Sequence, residues 1–222
     1  GSGLGSSSTH IVAVLGVFSR WLGLGLAEYD LAEMAYHLER IEIGMQGGRQ
    51  DQYSAAFGGF NFIEFGQTGG AVDSLRVNPE ILEELDTRLV LCFLGRTRNS
   101  SQILGDQVKR YMRGEEDSVA ALGKTKALAY EMKSALLNGE MDCMGELLHE
   151  GWIQKRRFTD LISNAFIDEL YEEARGHGAI GGKVLGAGGG GHMLFLCSSA
   201  GKRPLANYLR SVGVEVIPFA FE

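Results

Sequence analysis

Apolar residues recur at helical spacing from the first serine-rich stretch onward. Ile11, Val12, Val14, Leu15, Phe18 and Leu22 fall on one face of a 3.6-residue period, and the spacing predicts a helix that starts near Ser7 or Ser8. A second stripe, Leu31, Met34, Ala35, Leu38 and Ile41, follows Asp30, which with Glu33 three residues on reads as an N-cap with a variant capping box. Gly44, Gly47 and Gly48 end it, and Tyr53-Ser54-Ala55-Ala56-Phe57 reads as a short helical stretch. The aromatic-rich run Phe60-Asn61-Phe62-Ile63-Glu64-Phe65 predicts a strand, and the continuous apolar run 89–94 a second, fully buried one. Polar residues and Pro79 separate the two strands, which places a domain boundary near 75–85 and two parts, 1–80 and 81–222.

Helices are predicted over 99–113, 115–138 and 140–157, then a fourth capped by Ser163 and carrying Ile167, Leu170, Tyr171 and Ala174 until Gly176 and Gly178 stop it. Lys183-Val184-Leu185 leads into Gly186-Ala187-Gly188-Gly189-Gly190-Gly191, then a strand at 193–197, a helix over 202–212 and a last strand over 214–221. Helices and strands mix without strict alternation, so the fold class is α+β. Trp21 and Trp152 lie within apolar helical faces and read as core.

Composition narrows the function classes. Lys plus Arg number 21 against 28 Asp plus Glu, a net charge of −7, which speaks against a nucleic-acid platform. Hydrophobic residues at 45% and charged ones at 22% are ordinary for a globular chain. No run reaches the roughly 18 apolar residues of a membrane span, and no basic stretch precedes an apolar one as in a secretion signal. Cys92, Cys143 and Cys197 form no CxxC pair and read as reduced, mostly buried thiols. A cytoplasmic protein with no membrane or nucleic-acid partner is the expectation. Glycine is the unusual residue, at 32 positions against only 3 prolines, which points to places where backbone must approach something closely.

Chemistry could sit at three such places. Gly3-Leu4-Gly5-Ser6-Ser7-Ser8 runs into the first helix, whose leading N–H groups and positive dipole end suit a phosphate. The alternative is a flexible leader before a serine-capped helix. Glu39 lies near a helix end and Asp51 after a glycine-rich turn that can bring the two carboxylates together, one for a hard cation and one to accept a proton. The alternative is a solvated face with a loop aspartate. The glycine run 186–191 fits a loop lying against a nucleotide or against the first loop, or else a mobile hairpin tip. The five histidines show no ligand spacing, and Lys155-Arg156-Arg157 reads as the cationic end of a helix, with an anion-binding role as the alternative.

In this order the three places resemble the GHMP kinase superfamily, which includes galactokinase, homoserine kinase, mevalonate kinase and phosphomevalonate kinase. Residues 3–8 resemble its second motif, 186–191 its third, and Glu39 and Asp51 stand close to the family interval between a Mg2+-binding Glu and a catalytic Asp. Longer stretches are similar to the D-glycero-D-manno-heptose 7-phosphate kinase branch, with the sugar-kinase domain of L-fucokinase next. They are Gly48-Arg49-Gln50-Asp51-Gln52-Tyr53-Ser54-Ala55-Ala56, Gly58-Gly59-Phe60-Asn61, Arg98-Asn99-Ser100-Ser101-Gln102-Ile103-Leu104, Ile162-Ser163-Asn164 and Gly181-Gly182-Lys183-Val184-Leu185-Gly186.

The resemblance implies a two-domain fold: a partial N-terminal domain like domain 2 of ribosomal protein S5, and a ferredoxin-like C-terminal domain. It implies ATP and Mg2+, with Asp51 as the base that takes the proton of an anomeric hydroxyl, and Glu39 with Ser6 or Ser7 as Mg2+ ligands. Gly3, Leu4, Gly5, Ser6, Ser7 and Ser8 would hold the β- and γ-phosphates, and Gly188 and Gly189 would line the nucleotide. Gly48, Gln50 and Gly190 would face the substrate. Arg98 is a candidate for an anionic substrate group by its charge, a role the family match does not assign. The implied reaction converts D-glycero-D-manno-heptose 7-phosphate to the 1,7-bisphosphate, in nucleotide-activated heptose biosynthesis as a polysaccharide precursor. The alternatives are L-fucokinase, another GHMP small-molecule kinase, or a non-catalytic nucleotide- or sugar-binding remnant. Family members carry a segment before the Gly-Leu-Gly-Ser-Ser motif, so a missing N-terminal segment or a separate complementing chain is expected, with a homodimer left open.

Overall fold

The computed structural model describes residues 3–67, 69–95 and 100–221. They divide into two compact units, Gly5–Arg76 and Gly1–Leu4 with Val77–Glu222. No helix among the described residues is long and apolar enough to cross a membrane.

The Gly5–Arg76 unit holds α1 (Ser6–Trp21), α2 (Glu28–Tyr36), a π-helical turn (His37–Glu42), α3 (Gln50–Phe57) and a hairpin of β1 (Asn61–Gly66) and β2 (Gly69–Ser74). The three helices pack on one another, and the ring of Tyr53 meets those of Tyr29, Phe57 and Phe65. Asp30 is not the N-cap of α2: Ala27 is, and Asp30 in the first turn accepts its N–H at 3.0 Å. The π turn follows α2 directly and closes with Ile43 N–H donating to the Leu38 carbonyl at 2.9 Å. Its wider winding displaces the helical stripe, so Ile41 is exposed while Glu39 turns fully inward. Trp21 is also not core. It is 75% exposed, because α1 buries only Ser8, Val12 and Ser19 and leaves Val14, Val17 and Phe18 open beside it. The strand β2 had no sequence expectation; its pairing with β1, Asn61 opposite Ser74 and Gly66 opposite Gly69, outweighs the poor strand propensity of Gly69 and Gly70.

The second unit begins with α4 (Pro79–Arg88), where Asn78 accepts the Glu80 N–H at 3.0 Å and Pro79 starts the helix rather than merely punctuating the chain. Then come β3 (Leu89–Phe93), α5 (Ser100–Met112), α6 (Glu116–Asn138), α7 (Met141–Arg156), α8 (Ala165–Gly176), β4 (Ala179–Val184), β5 (His192–Cys197), α9 (Lys202–Ser211) and β6 (Glu215–Ile217). The sheet order is β4-β5-β3-β6 with every neighbouring pair antiparallel, the arrangement of a ferredoxin-like domain. Val90, Cys92, Trp152, Tyr171, Phe195 and Leu205 are buried together in its core. Trp152 is thus core, as its helical face suggests. Burial pushes the thiols of Cys92 and Cys197 up to about 12, and Cys143 is exposed. Helix α8 is capped by Asn164, which accepts the Ile167 N–H at 3.2 Å. Ser163 instead donates to Asp168 at 2.6 Å. The last strand is shorter than its apolar run suggests, because only three residues reach a partner on β3. Helix α7 lies so close to β4 that a Cβ at Gly145 would come within 2.6 Å of Ile180.

Candidate active site

In the Gly5–Arg76 unit the site is built around a carboxylate with no solvent access. Glu39 is fully buried, carried inward by the π turn. Ser7 donates to one of its oxygens at 2.7 Å, Ser8 to the other at 2.6 Å, and the Gln52 amide also donates to that second oxygen. Burial works to raise the pKa of Glu39, but the hydrogen bonds from Ser8, Ser7 and Gln52 and the charge of Arg40 outweigh it and hold the carboxyl below its ordinary value. The oxygen of the Gln52 amide is buried with no partner among the described residues.

Asp51 stands at the start of α3 and is open to solvent on one side. On the other it lies against Gly5, where an added Cβ would sit 3.3 Å from the Asp51 carboxyl carbon. Gly5 has φ +66°, which L residues rarely adopt, so the backbone there calls for glycine. Desolvation raises the Asp51 pKa, Arg40 opposes this, Glu39 adds to it, and the net shift is upward. The two carboxylates singled out in the sequence therefore share one electrostatic neighbourhood, yet their environments drive them in opposite directions. Arg40 gave no sequence signal beyond its place next to Glu39. Its Nε donates to the Gly48 carbonyl at 3.2 Å, and it lies 4.0 Å from a Glu39 oxygen.

No side chain caps the N-terminus of α1 and no acidic residue stands in its own first turn, so the carboxylates near the dipole end, Glu39 and Asp51, come from other elements. Thr9 makes the first helical bond back to the Gly5 carbonyl, at 3.0 Å. Gln50 opens α3 and is exposed, as is Gly48.

In the second unit, Gly3 meets the entry to the glycine run. A Cβ on Gly3 would come within 2.8 Å of the Leu185 carbonyl oxygen, and one on Gly186 within 2.7 Å of the Gly3 Cα. Gly186, Gly188, Gly189, Gly190 and Gly191 all have positive φ, which accounts for five glycines in six residues. Two backbone hydrogen bonds tie the run to its neighbours. The Gly189 N–H donates to Ile162 O at 2.7 Å, and Leu94 N–H donates to Gly191 O at 2.9 Å. Lys155 does more than finish a helix: its ammonium reaches Val184 O at 2.9 Å and Gly186 O at 2.6 Å. Burial and the neighbouring Lys183 push it down to about 7. The short basic run betrayed a charge but not its target. Its other members pair with acids, Arg156 with Asp168 at 3.0 Å and Arg157 with Asp117 at 2.6 Å. Arg98 lies outside the described residues.

A carboxylate, two hydroxyls and an unpartnered amide oxygen are hard oxygen donors, the set that Mg2+ prefers, so the residues around Glu39 fit that ion. Glycine-bounded backbone at an uncapped helix start is the arrangement that accepts phosphate.

Comparison with known proteins finds relatives along the chain. The family described as GHMP kinases N terminal domain matches residues 1–59, and GHMP kinases C terminal matches residues 132–215. Over its whole length the chain is 39% identical to a D-glycero-alpha-D-manno-heptose 7-phosphate kinase of Campylobacter jejuni, spanning 65% of that protein. It is 31% identical to a bifunctional fucokinase/GDP-fucose pyrophosphorylase of Arabidopsis thaliana, over 91% of this chain and 19% of the relative. The crystal structure of a D-glycero-D-manno-heptose 1-phosphate kinase from Bacteriodes thetaiotaomicron superposes with a TM-score of 0.74 at 34% identity, covering all of this chain and 61% of that one. The chain thus spans less than two thirds of the length of each.

Proposed function

The chain belongs to the GHMP kinases, and we propose that it carries the phosphoryl-transfer site of an ATP-dependent sugar kinase acting on the anomeric hydroxyl of a heptose 7-phosphate. The observation that carries the proposal is the pairing inside one unit, beside the first turn of α1, of a buried, hydroxyl-bound Glu39 with Asp51, which stands solvent-open at the start of α3 with a raised pKa. One carboxylate is kept ionised for a cation and the other is tuned toward proton acceptance, which is the division of labour phosphoryl transfer needs.

In this reading Asp51 accepts the proton of the sugar hydroxyl as its oxygen forms a bond to the γ-phosphorus and the bond to the β-phosphate oxygen breaks, releasing ADP. The first-turn amides of α1, from Ser6 to Ser8, receive phosphate oxygens. Glu39 and a serine hydroxyl, Ser6 or Ser7, would hold Mg2+, which when bound would neutralise phosphate charge. In the second unit Gly3, Leu4, Gly188 and Gly189 leave room for the nucleotide, and Gly190 for the acceptor. A heptose 7-phosphate is the acceptor of choice because a relative that matches along the whole chain is named for it.

A fucokinase is the second reading, favoured by the Arabidopsis match. A panel of acceptors with Mg2+-ATP, read by ADP release, decides. Release with D-glycero-D-manno-heptose 7-phosphate and not with L-fucose or mevalonate supports the first reading. Release with L-fucose alone supports the second. ATP binding with no release on any acceptor leaves a binding remnant and refutes both.

A further inference from the structure

Glu33, on α2, accepts two hydrogen bonds from Arg49 Nη1, at 2.9 Å and 3.1 Å, and one from the hydroxyl of Tyr53. Arg49 caps α3 and Tyr53 lies one turn further along, so a single carboxylate holds two points on one side of that turn. Residue 51 lies roughly 200° round the helix from residue 49. On that other side Asp51 packs against Gly5, and Gln52, on the flank between, donates to Glu39. The first turn of α3 is therefore held between two carboxylates, Glu33 and Glu39, both supplied by the continuous segment of α2 and its π turn.

We infer that Glu33 is a positioning residue for the proposed transfer: it fixes the helical turn that presents Asp51 and Gln52, without touching either. The inference rests on the kinase reading above. The ion pair alone would do little, since the Glu33 and Arg49 side chains are 41% and 32% exposed. The buried hydroxyl makes the difference. Tyr53 is 1% exposed, its hydroxyl also accepts the Gly70 N–H at 3.1 Å, and a Cβ on Gly70 would come within 2.6 Å of its ring. Three elements thus meet at one phenol that cannot lose its acceptor cheaply. Arg49 is steadied as well, with its guanidinium 4.2 Å from the centre of the Tyr36 ring.

The test compares Glu33→Gln, Tyr53→Phe and the double variant in the full-length protein. Tyr53→Phe keeps the ring and its packing, so it serves if Glu33→Gln folds poorly. Two readouts are taken: steady-state kinetics with the acceptor found above, and hydrogen exchange of the α3 amides. The single variants are expected to lose about tenfold to a hundredfold in kcat with the ATP KM nearly unchanged. The double variant is expected to lose no more than the worse single, because both act through one link. Exchange at α3 is expected to quicken about tenfold while that of β3 and β5 stays as it is. Unchanged kcat in an active enzyme, fully additive losses, or unchanged exchange at α3 would overturn the inference. A wild type that turns over no acceptor refutes the kinase reading instead, and the exchange experiment still decides whether Glu33 holds α3.

Discussion

Two acidic side chains twelve positions apart behave as opposites because of what surrounds them. Glu39 has no solvent but three donors, and stays ionised; Asp51 has solvent but a desolvating wall and an anionic neighbour, and holds its proton more readily. Removing one donor exposes the cost of burying a charge. Ser8→Ala is expected to lower stability by about 1–3 kcal/mol in urea unfolding, with the Glu39 pKa moving up. An unaltered midpoint would mean that the hydroxyl does not matter to the buried carboxylate. For Asp51 the direction of the shift sets a pH dependence. A base works deprotonated, so the acid limb of kcat should lie above the ordinary aspartate value. Arg40 is the group that holds it down, so Arg40→Met should move that limb further up in a pH profile, whereas a limb that stays put argues against the assignment of Asp51 as base. The sequence showed both carboxylates, through their residue types and the glycine-rich turn between them. It did not show Ser8, Gln52 and Arg40 as partners of Glu39, because those contacts depend on how the π turn aims the side chain.

Elements decide whether such side chains are aimed at all. The π turn at 37–42 left no mark in the apolar spacing, which continued a regular helical stripe through Ile41. Helix periodicity reports a 3.6-residue repeat and is blind to one widened turn. The main helices and the strands β1, β3 and β5 were legible from periodicity, while β2 and α4 needed pairing and a cap that no stripe announces. At the glycine run, Lys155 ties the end of β4 to the start of the loop. Its folded value of about 7 lies below the ordinary 10.5, so the folded state binds fewer protons than the unfolded one between those values. Stability therefore rises with pH over that window and is flat below it. Thermal melts at pH 7 and pH 10 should show the wild type gaining relative to Lys155→Met; an equal response of both would remove Lys155 as the cause. Gly186→Ala, whose Cβ would collide with Gly3, should weaken ATP binding at least about tenfold while the C-terminal core still melts cooperatively.

At the scale of the molecule, the chain divides into two compact units and crosses between them from Leu4 to Gly5 and from Arg76 to Val77. The ferredoxin-like order of the second sheet followed from the family resemblance and not from the apolar pattern, which could not choose among strand orders. The acidic balance of the whole chain is −7, so the proposed nucleotide site would need a local device such as the α1 start to hold an anion. We propose that Asp51 takes the acceptor proton during transfer from ATP. It is tested most directly by ADP release from Mg2+-ATP with D-glycero-D-manno-heptose 7-phosphate, comparing the full-length wild type with Asp51→Asn. The prediction is steady turnover in the wild type and a loss of about a hundredfold to ten-thousandfold in the variant, with ATP affinity retained. Near-full turnover by Asp51→Asn would contradict it.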